Sequence, residues 1–198
     1  MITKVVGIDL AGSPKRDTGI CLMHNKRIMK YATLHDNSEI ISFVKDANPE
    51  IIGIDAPLSL PPGRKSLDDN NGVHLRECDK ELTKLKIRFF PITLGPMRML
   101  TLRGLELKKK FKRMGYDSYE MFPGATQDVL GIPRKQNSMI GLYKGLENLG
   151  IKGLQKDMNN DELDAVTCAY TAYLYQRGKA EILGSLKKGA IIIPKAPR

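Results

Sequence analysis

Tryptophan is absent from this sequence, and histidine and cysteine each occur only three times. No apolar run approaches the roughly 18 residues that a membrane span requires. The cysteines, Cys21, Cys78 and Cys168, are odd in number and lack CxxC spacing, which excludes a disulfide framework and a zinc cage and points to a reducing compartment. With neither a spanning segment nor a signal-peptide pattern, the expectation is a cytoplasmic protein with no membrane partner. Aromatic residues make up only 6%, yet 41% of the chain is hydrophobic, which is globular composition and excludes a disordered segment. At 198 residues the chain suits a single domain spanning 1–198, with an irregular loop and helical insertion at about 58–115.

Acidic residues are also scarce: 22 Asp and Glu stand against 32 Lys and Arg, a net charge of +10 that suits a polyanionic partner such as nucleic acid. The basic residues are clustered. In RGLELKKKFKRMG, Leu107, Phe111 and Met114 fall on one helical face together with Leu100, which turns Lys108, Lys109, Lys112 and Arg113 outward as a ridge suited to phosphates.

The first third alternates apolar runs with turn signals. Ile2 to Leu10, Gly19 to His24 and Arg27 to Leu34 read as an antiparallel three-strand meander, the last pair joined through Asn25-Lys26. Asn37-Ser38 caps a helix over Glu39 to Ala47, and Glu50 to Ile54 is then a fully buried strand, parallel to the first because a helical crossover precedes it. Further on, His74 to Ile87 reads as a helix and Tyr116 to Phe122 as a strand. Helices follow over Ala125 to Leu130, Ser138 to Leu149 and Asp161 to Arg177, and the run AIIIP adds a short strand.

Two of these strands end alike, in KVVGIDLAGSP and IIGIDAPLSLP. If strands one and four are parallel neighbours, Asp9 and Asp55 leave the sheet at the same carboxyl-terminal edge, where open α/β sheets bind ligands. Either aspartate alone would read as a turn cap. Together they would repel, and a hard divalent ion, which prefers oxygen ligands, resolves the repulsion. In NDELDAVTCAYTAYLY, Asp161 and Asp164 share one helical face, although the amino end of a helix favours acidic residues for its own reasons. Glu120, near the end of its strand, is a further candidate. Arg76, three residues before Asp79, offers either a phosphate clamp or an ion pair within its helix.

GIDLAGSP, GIDAPLSLP, LRECDKEL, YEMFPGA and DELDAVTCAYTA, in this order across nearly the whole chain, resemble the DUF429 family, regarded as predicted nucleases with a ribonuclease H-like fold. The resemblance implies an α/β fold with a mixed five-stranded sheet in the order 3-2-1-4-5, strand 2 antiparallel, and helices on both faces. It also implies that acidic residues from strand one, strand four and the C-terminal helix meet on divalent metal, Mg²⁺ or Mn²⁺. Asp9, Asp55 and Asp164 occupy those places, with Asp161 and Glu120 as accessories.

The expected activity is phosphodiester hydrolysis by two metal ions roughly 4 Å apart, which requires clustered carboxylates and no nucleophilic side chain. DNA, RNA and small phosphoesters all remain open as substrates, as does pairing into a homodimer. Two alternatives are weighed against this. An actin-like or sugar-kinase-like phosphotransferase would want backbone donors for phosphate where Pro57 removes one. A non-catalytic nucleic-acid-binding protein would have to tolerate unneutralised carboxylates beside its own polyanion.

Overall fold

In the computed structural model, which describes residues 3–196, the meander is made by β1 (Lys4–Asp9), β2 (Thr18–His24) and β3 (Arg27–Leu34). Helix α1 (Asn37–Ala47) crosses over to β4 (Ile51–Asp55), which runs parallel to β1 in a register that sets Asp9 beside Asp55. The chain then forms α2 (Glu77–Lys84), α3 (Gly95–Arg113), β5 (Ser118–Met121), α4 (Pro123–Leu130), α5 (Met139–Asn148), α6 (Asn160–Gln176), β6 (Ala180–Ser185) and β7 (Gly189–Pro194).

The strands make one mixed sheet in the order β3-β2-β1-β4-β5-β7-β6. Its first five strands have the expected ribonuclease H-like order, with β2 antiparallel to β1 and with β4 and β5 parallel. The sheet has seven strands where five were expected. Strand β7 lies parallel to β5, and β6 pairs antiparallel with β7 as the outer edge. The edge strand left little trace in the sequence because Glu181 and Ile182 are both exposed, so the burial that produces a recognisable pattern is missing.

Strand alternation sorts the side chains between the two faces. Val6, Ile8, Ile52 and Ile54 pack under α1 and α3, meeting Ile40, Val44, Leu107 and Phe111. On the other face, Val5, Cys21 and Ile51 pack under α6 and α5, meeting Ala165, Ala169, Leu142 and Leu146. Helix α1 is capped by Asp36, not by Asn37 or Ser38. Its carboxylate accepts from the backbone N–H of Ser38 and Glu39, at 2.8 and 2.9 Å, while Glu39 accepts from the N–H of Asp36.

Helix α6 is buried around almost its whole girth and lies closer to the sheet than side chains allow. A Cβ placed on Gly7 would stand 2.1 Å from the Ala165 carbonyl oxygen, and one on Gly19 would stand 2.1 Å from that of Asp161. These two glycines let the helix settle where Asp161 and Asp164 face the end of β1. The obstructing atoms are backbone, so Gly7→Ala can be accommodated only by lifting the helix. It is expected to cost about 3 kcal/mol or more, the upper range of overpacking penalties. Urea denaturation checks this: an unchanged midpoint would show that the helix does not rest there.

Candidate metal and active site

Asp9 is the last residue of β1 and Asp55 the last of β4, and both lie on the α6 face of the sheet because Gly7 and Gly53, two residues earlier, face the same helix. The first two turns of α6 bring Asp161 and Asp164 over the same edge. Asn159 caps this helix, its side chain accepting from the N–H of Asp161 at 3.0 Å and of Glu162 at 2.9 Å. Four of the expected carboxylates are therefore assembled in one place, from three elements.

The space between them is held by Lys135, a residue that sequence reasoning missed. From the loop joining α4 to α5, its Nζ stands 2.9 Å from Asp9 Oδ2, 2.8 Å from Asp161 Oδ1 and 3.0 Å from Asp164 Oδ2. Gln127 of α4, also missed, donates from Nε2 to the other oxygen of Asp164 at 2.7 Å. Asp55 has no ion-pair or side-chain hydrogen-bond partner among the described residues and opens onto the neighbouring cleft. No spacing rule would have exposed Lys135. The available hint was only that the loop IPRKQ follows YEMFPGA, whose helix must pack beside α6.

One ammonium among four carboxylates leaves an excess of negative charge. Burial, and then the charge of Asp164, against the pull of Lys135, raises Asp9 from 3.8 to about 7. Burial and the neighbouring Asp9 raise Asp55 well above the usual carboxylate range. Asp164 is raised too, mainly by burial, with Lys135 and Gln127 opposing. For Lys135 burial disfavours the charge, but Asp9 and Asp164 outweigh it and hold the ammonium protonated above its ordinary value.

Glu120 is not part of this cluster, which corrects its expected accessory role. It pairs in register with Ile54, so it points to the opposite face of the sheet from Asp55. There it meets Arg76, which corrects the expected phosphate clamp. Arg76 is 2% exposed, and its guanidinium is shared between two carboxylates: Nη1 and Nη2 donate to Glu120 at 2.7 and 2.8 Å, Nε and Nη2 to Asp79 at 3.0 and 2.8 Å. The N–H of Leu58 also donates to Glu120, at 2.8 Å. This buried knot fastens α2 and the loop before it to β5.

The basic ridge is not beside the carboxylates either. Lys109, Lys112 and Arg113 are exposed, whereas Lys108 is half-buried and donates from Nζ to the Leu58 carbonyl at 3.0 Å. Helix α3 begins near Gly12 at the carboxyl-terminal edge and runs down the sheet. Just beyond it, the Tyr116 hydroxyl donates to Asn48, which precedes β4. At 1.5 Å per residue, Arg113 lies about 20 Å below Leu100, toward the opposite edge. Lys135 stands among the carboxylates, and Arg88 and Arg134 line the cleft onto which Asp55 opens.

Among the described residues no helix is long and apolar enough to cross a membrane. No family model matches the chain, and no curated protein does. Among solved structures, the chain is similar to RuvC of Thermus thermophilus in complex with a Holliday junction substrate, with 13% identity over 89% of this chain and 97% of that one and a TM-score of 0.48. A second structure of Thermus thermophilus RuvC gives 12% identity, the same coverage and a TM-score of 0.49.

Proposed function

We propose that this protein is a divalent-metal-dependent phosphodiesterase acting on nucleic acid, with Asp9, Asp55 and Asp164 holding Mg²⁺ or Mn²⁺ and Asp161 assisting. The observation that carries this reading is a cation position already defined by the chain: three aspartates converge within 3.0 Å of one ammonium, with a fourth, Asp55, left without a partner. All the donors are carboxylate oxygens, which suits a hard divalent ion. Among the described residues no three of His, Cys, Asp and Glu stand in metal-holding geometry. The physical reason is that Lys135 spaces the carboxylates around itself, so an ion and Lys135 would compete for the same oxygens. When bound, the ion supplies activation of water and takes up the charge that develops on the phosphodiester.

The chain's own residues do the rest. Gln127 fixes the Asp164 carboxylate by holding one of its oxygens, leaving the other turned toward Lys135. Lys135, on a four-carbon stem, neutralises the cluster in the metal-free protein and, once displaced, meets a phosphate oxygen of the substrate. Arg88 adds positive charge to the neighbouring cleft, and Arg134, paired with Asp128, lines it as well.

Lys135 also favours a second reading, a non-catalytic nucleic-acid binder in which the ammonium is a permanent substitute for metal. Thermal unfolding with and without Mg²⁺ or Mn²⁺ separates the two. At a hundredfold excess over Kd an ion confined to the native state adds about 2.7 kcal/mol, or roughly 5–10 °C for a chain of this size. Lys135→Ala is expected to lower the melting temperature of the metal-free protein and to enlarge the metal-induced rise, because the competitor is gone. Asp55→Asn and Asp164→Asn are expected to blunt the rise. No rise in wild type and in Lys135→Ala alike would leave the binder reading standing.

A further inference from the structure

A cavity of about 840 Å³ opens beside the acidic cluster, with Asp55 at one end and the segment from α2 to the start of α3 as its outer wall. We propose, building on the phosphodiesterase reading above, that it receives the base of an unpaired nucleotide next to the scissile phosphate, so that the substrate is single-stranded or locally unpaired nucleic acid.

The lining is the first argument. The chain has five phenylalanines and no tryptophan, and three of the five, Phe89, Phe90 and Phe122, line this one cavity. Phe90 is 72% exposed, an aromatic face held at the mouth instead of being spent in the core. Arg134 lies over the Phe122 ring, its guanidinium carbon 5.5 Å from the centroid, and its Nε donates to Asp128 at 2.9 Å. A flat guanidinium on one ring, with a second and exposed ring lining the same cavity, is the kind of surface on which a base stacks. Volume is the second argument: at 840 Å³ the space falls within the range of small-molecule sites and exceeds what one side chain or a few waters would need.

Charge complementarity selects the occupant. Arg88 and Arg134 both line the cleft, Arg134 already paired with Asp128, so an apolar peptide would bring no acidic group to meet Arg88, and an acidic peptide would meet Asp55. A nucleotide matches each part, with its base among the phenylalanines, its phosphate toward the arginines and Lys135, and polar base edges within the reach of Gln136 and Thr83, which also line the space. A base inside a duplex is stacked on both faces and paired along its edge, so it cannot enter a concave site without leaving the helix.

The test uses the whole 198-residue chain in EDTA, so that neither metal nor turnover contributes. A short single-stranded DNA carrying one 2-aminopurine, the same strand in a blunt duplex, and adenosine monophosphate are titrated in parallel. Single strand is expected to bind more tightly than duplex, with quenching of the 2-aminopurine. Phe90→Ala and Arg88→Ala, both at exposed positions, are each expected to weaken it about fivefold or more, in line with the loss of a stacking or cation contact. Thr83→Trp, which fills the cavity from the surface of α2, is expected to abolish the quench. All three variants are expected to unfold cooperatively in EDTA at close to the wild-type melting temperature, which shows that they are folded. Saturation by adenosine monophosphate with no gain from the strand would place a free nucleotide there and overturn the polymeric substrate. Equal binding of duplex and single strand, or variants that change nothing, would overturn the cavity assignment. Because no metal is present, either result leaves metal-dependent hydrolysis to stand or fall by its own assay.

Discussion

Asp9→Asn is expected to reduce metal-dependent phosphodiester hydrolysis by at least about a thousandfold while leaving the protein folded, and to make the metal-free protein more stable at pH 8 than wild type is. The amide keeps the shape of the carboxylate and can still accept from Lys135, but it contributes no charge. Asp9, Asp55 and Asp164 are all raised and so act with the same sign, and Asp9 sets the pH window. Its carboxyl is raised from 3.8 to about 7 by burial and by Asp164. An acid raised in the native state binds more protons there than in the unfolded chain between those two values, so metal-free wild type loses stability as pH climbs from about 4 to about 7. At about 1.36 kcal/mol per pH unit the loss reaches up to about 4 kcal/mol. Melting curves in EDTA at pH 5.5 and pH 8 should show the upper half of this fall, about 2 kcal/mol, in wild type and a smaller one in Asp9→Asn, and Mg²⁺ should restore wild type at pH 8. Turnover equal to wild type would remove Asp9 from catalysis. An identical pH profile would show that its carboxyl carries no excess charge.

Arg76→Ala is expected to have the largest effect on stability, about 3–5 kcal/mol, enough to leave much of the chain unfolded at 37 °C. The substitution strands Asp79 and Glu120, which are 1% and 6% exposed and have no other cation within ion-pairing distance among the described residues. Two buried carboxylates without a partner must either ionise at a heavy cost or take up protons, so the deficit should be greater at pH 8 than at pH 5. Arg76→Lys keeps a charge but loses the fork that serves both acids, and should fall between Arg76→Ala and wild type. Denaturant midpoints at the two pH values measure all of this. If Arg76→Ala unfolds like wild type but loses affinity for nucleic acid, Arg76 is a phosphate clamp after all, and its burial is not a feature of the protein in solution.

Both predictions rest on residues that the sequence revealed to very different degrees. Asp9 and Asp55 stood out because each ends an apolar run at a Gly-Ile-Asp step, and strand identity is written locally, in hydrophobic runs and the turn residues that bound them. Parallel pairing of those strands was legible as well, since a helical crossover between them leaves little choice. Asp161 and Asp164 were legible from helical spacing. The order of the first five strands came through the resemblance carried by five short motifs, and the sheet has that order.

What the amino-acid order could not display are the interactions that exist only once distant elements have packed. Lys135 reaches Asp9 across 126 positions and Arg76 reaches Glu120 across 44, and in neither case does spacing, periodicity or composition single out the partner. Glu120 shows the limit most clearly. Its place near the end of a strand was readable, but whether it joins Asp9 and Asp55 or turns away depends on the register of β5 against β4, and a slip of one residue would reverse its face. That register is settled by the burial of Tyr119 and Met121 under α6 and by the salt bridge awaiting Glu120 on the other side. The sequence by itself determined that acidic residues would gather at one edge of a mixed sheet. Only the tertiary structure decided which of them gather, that an ammonium stands among them, and that an aromatic cavity lies alongside, because each depends on free energy gained when surfaces far apart in the chain exclude water together.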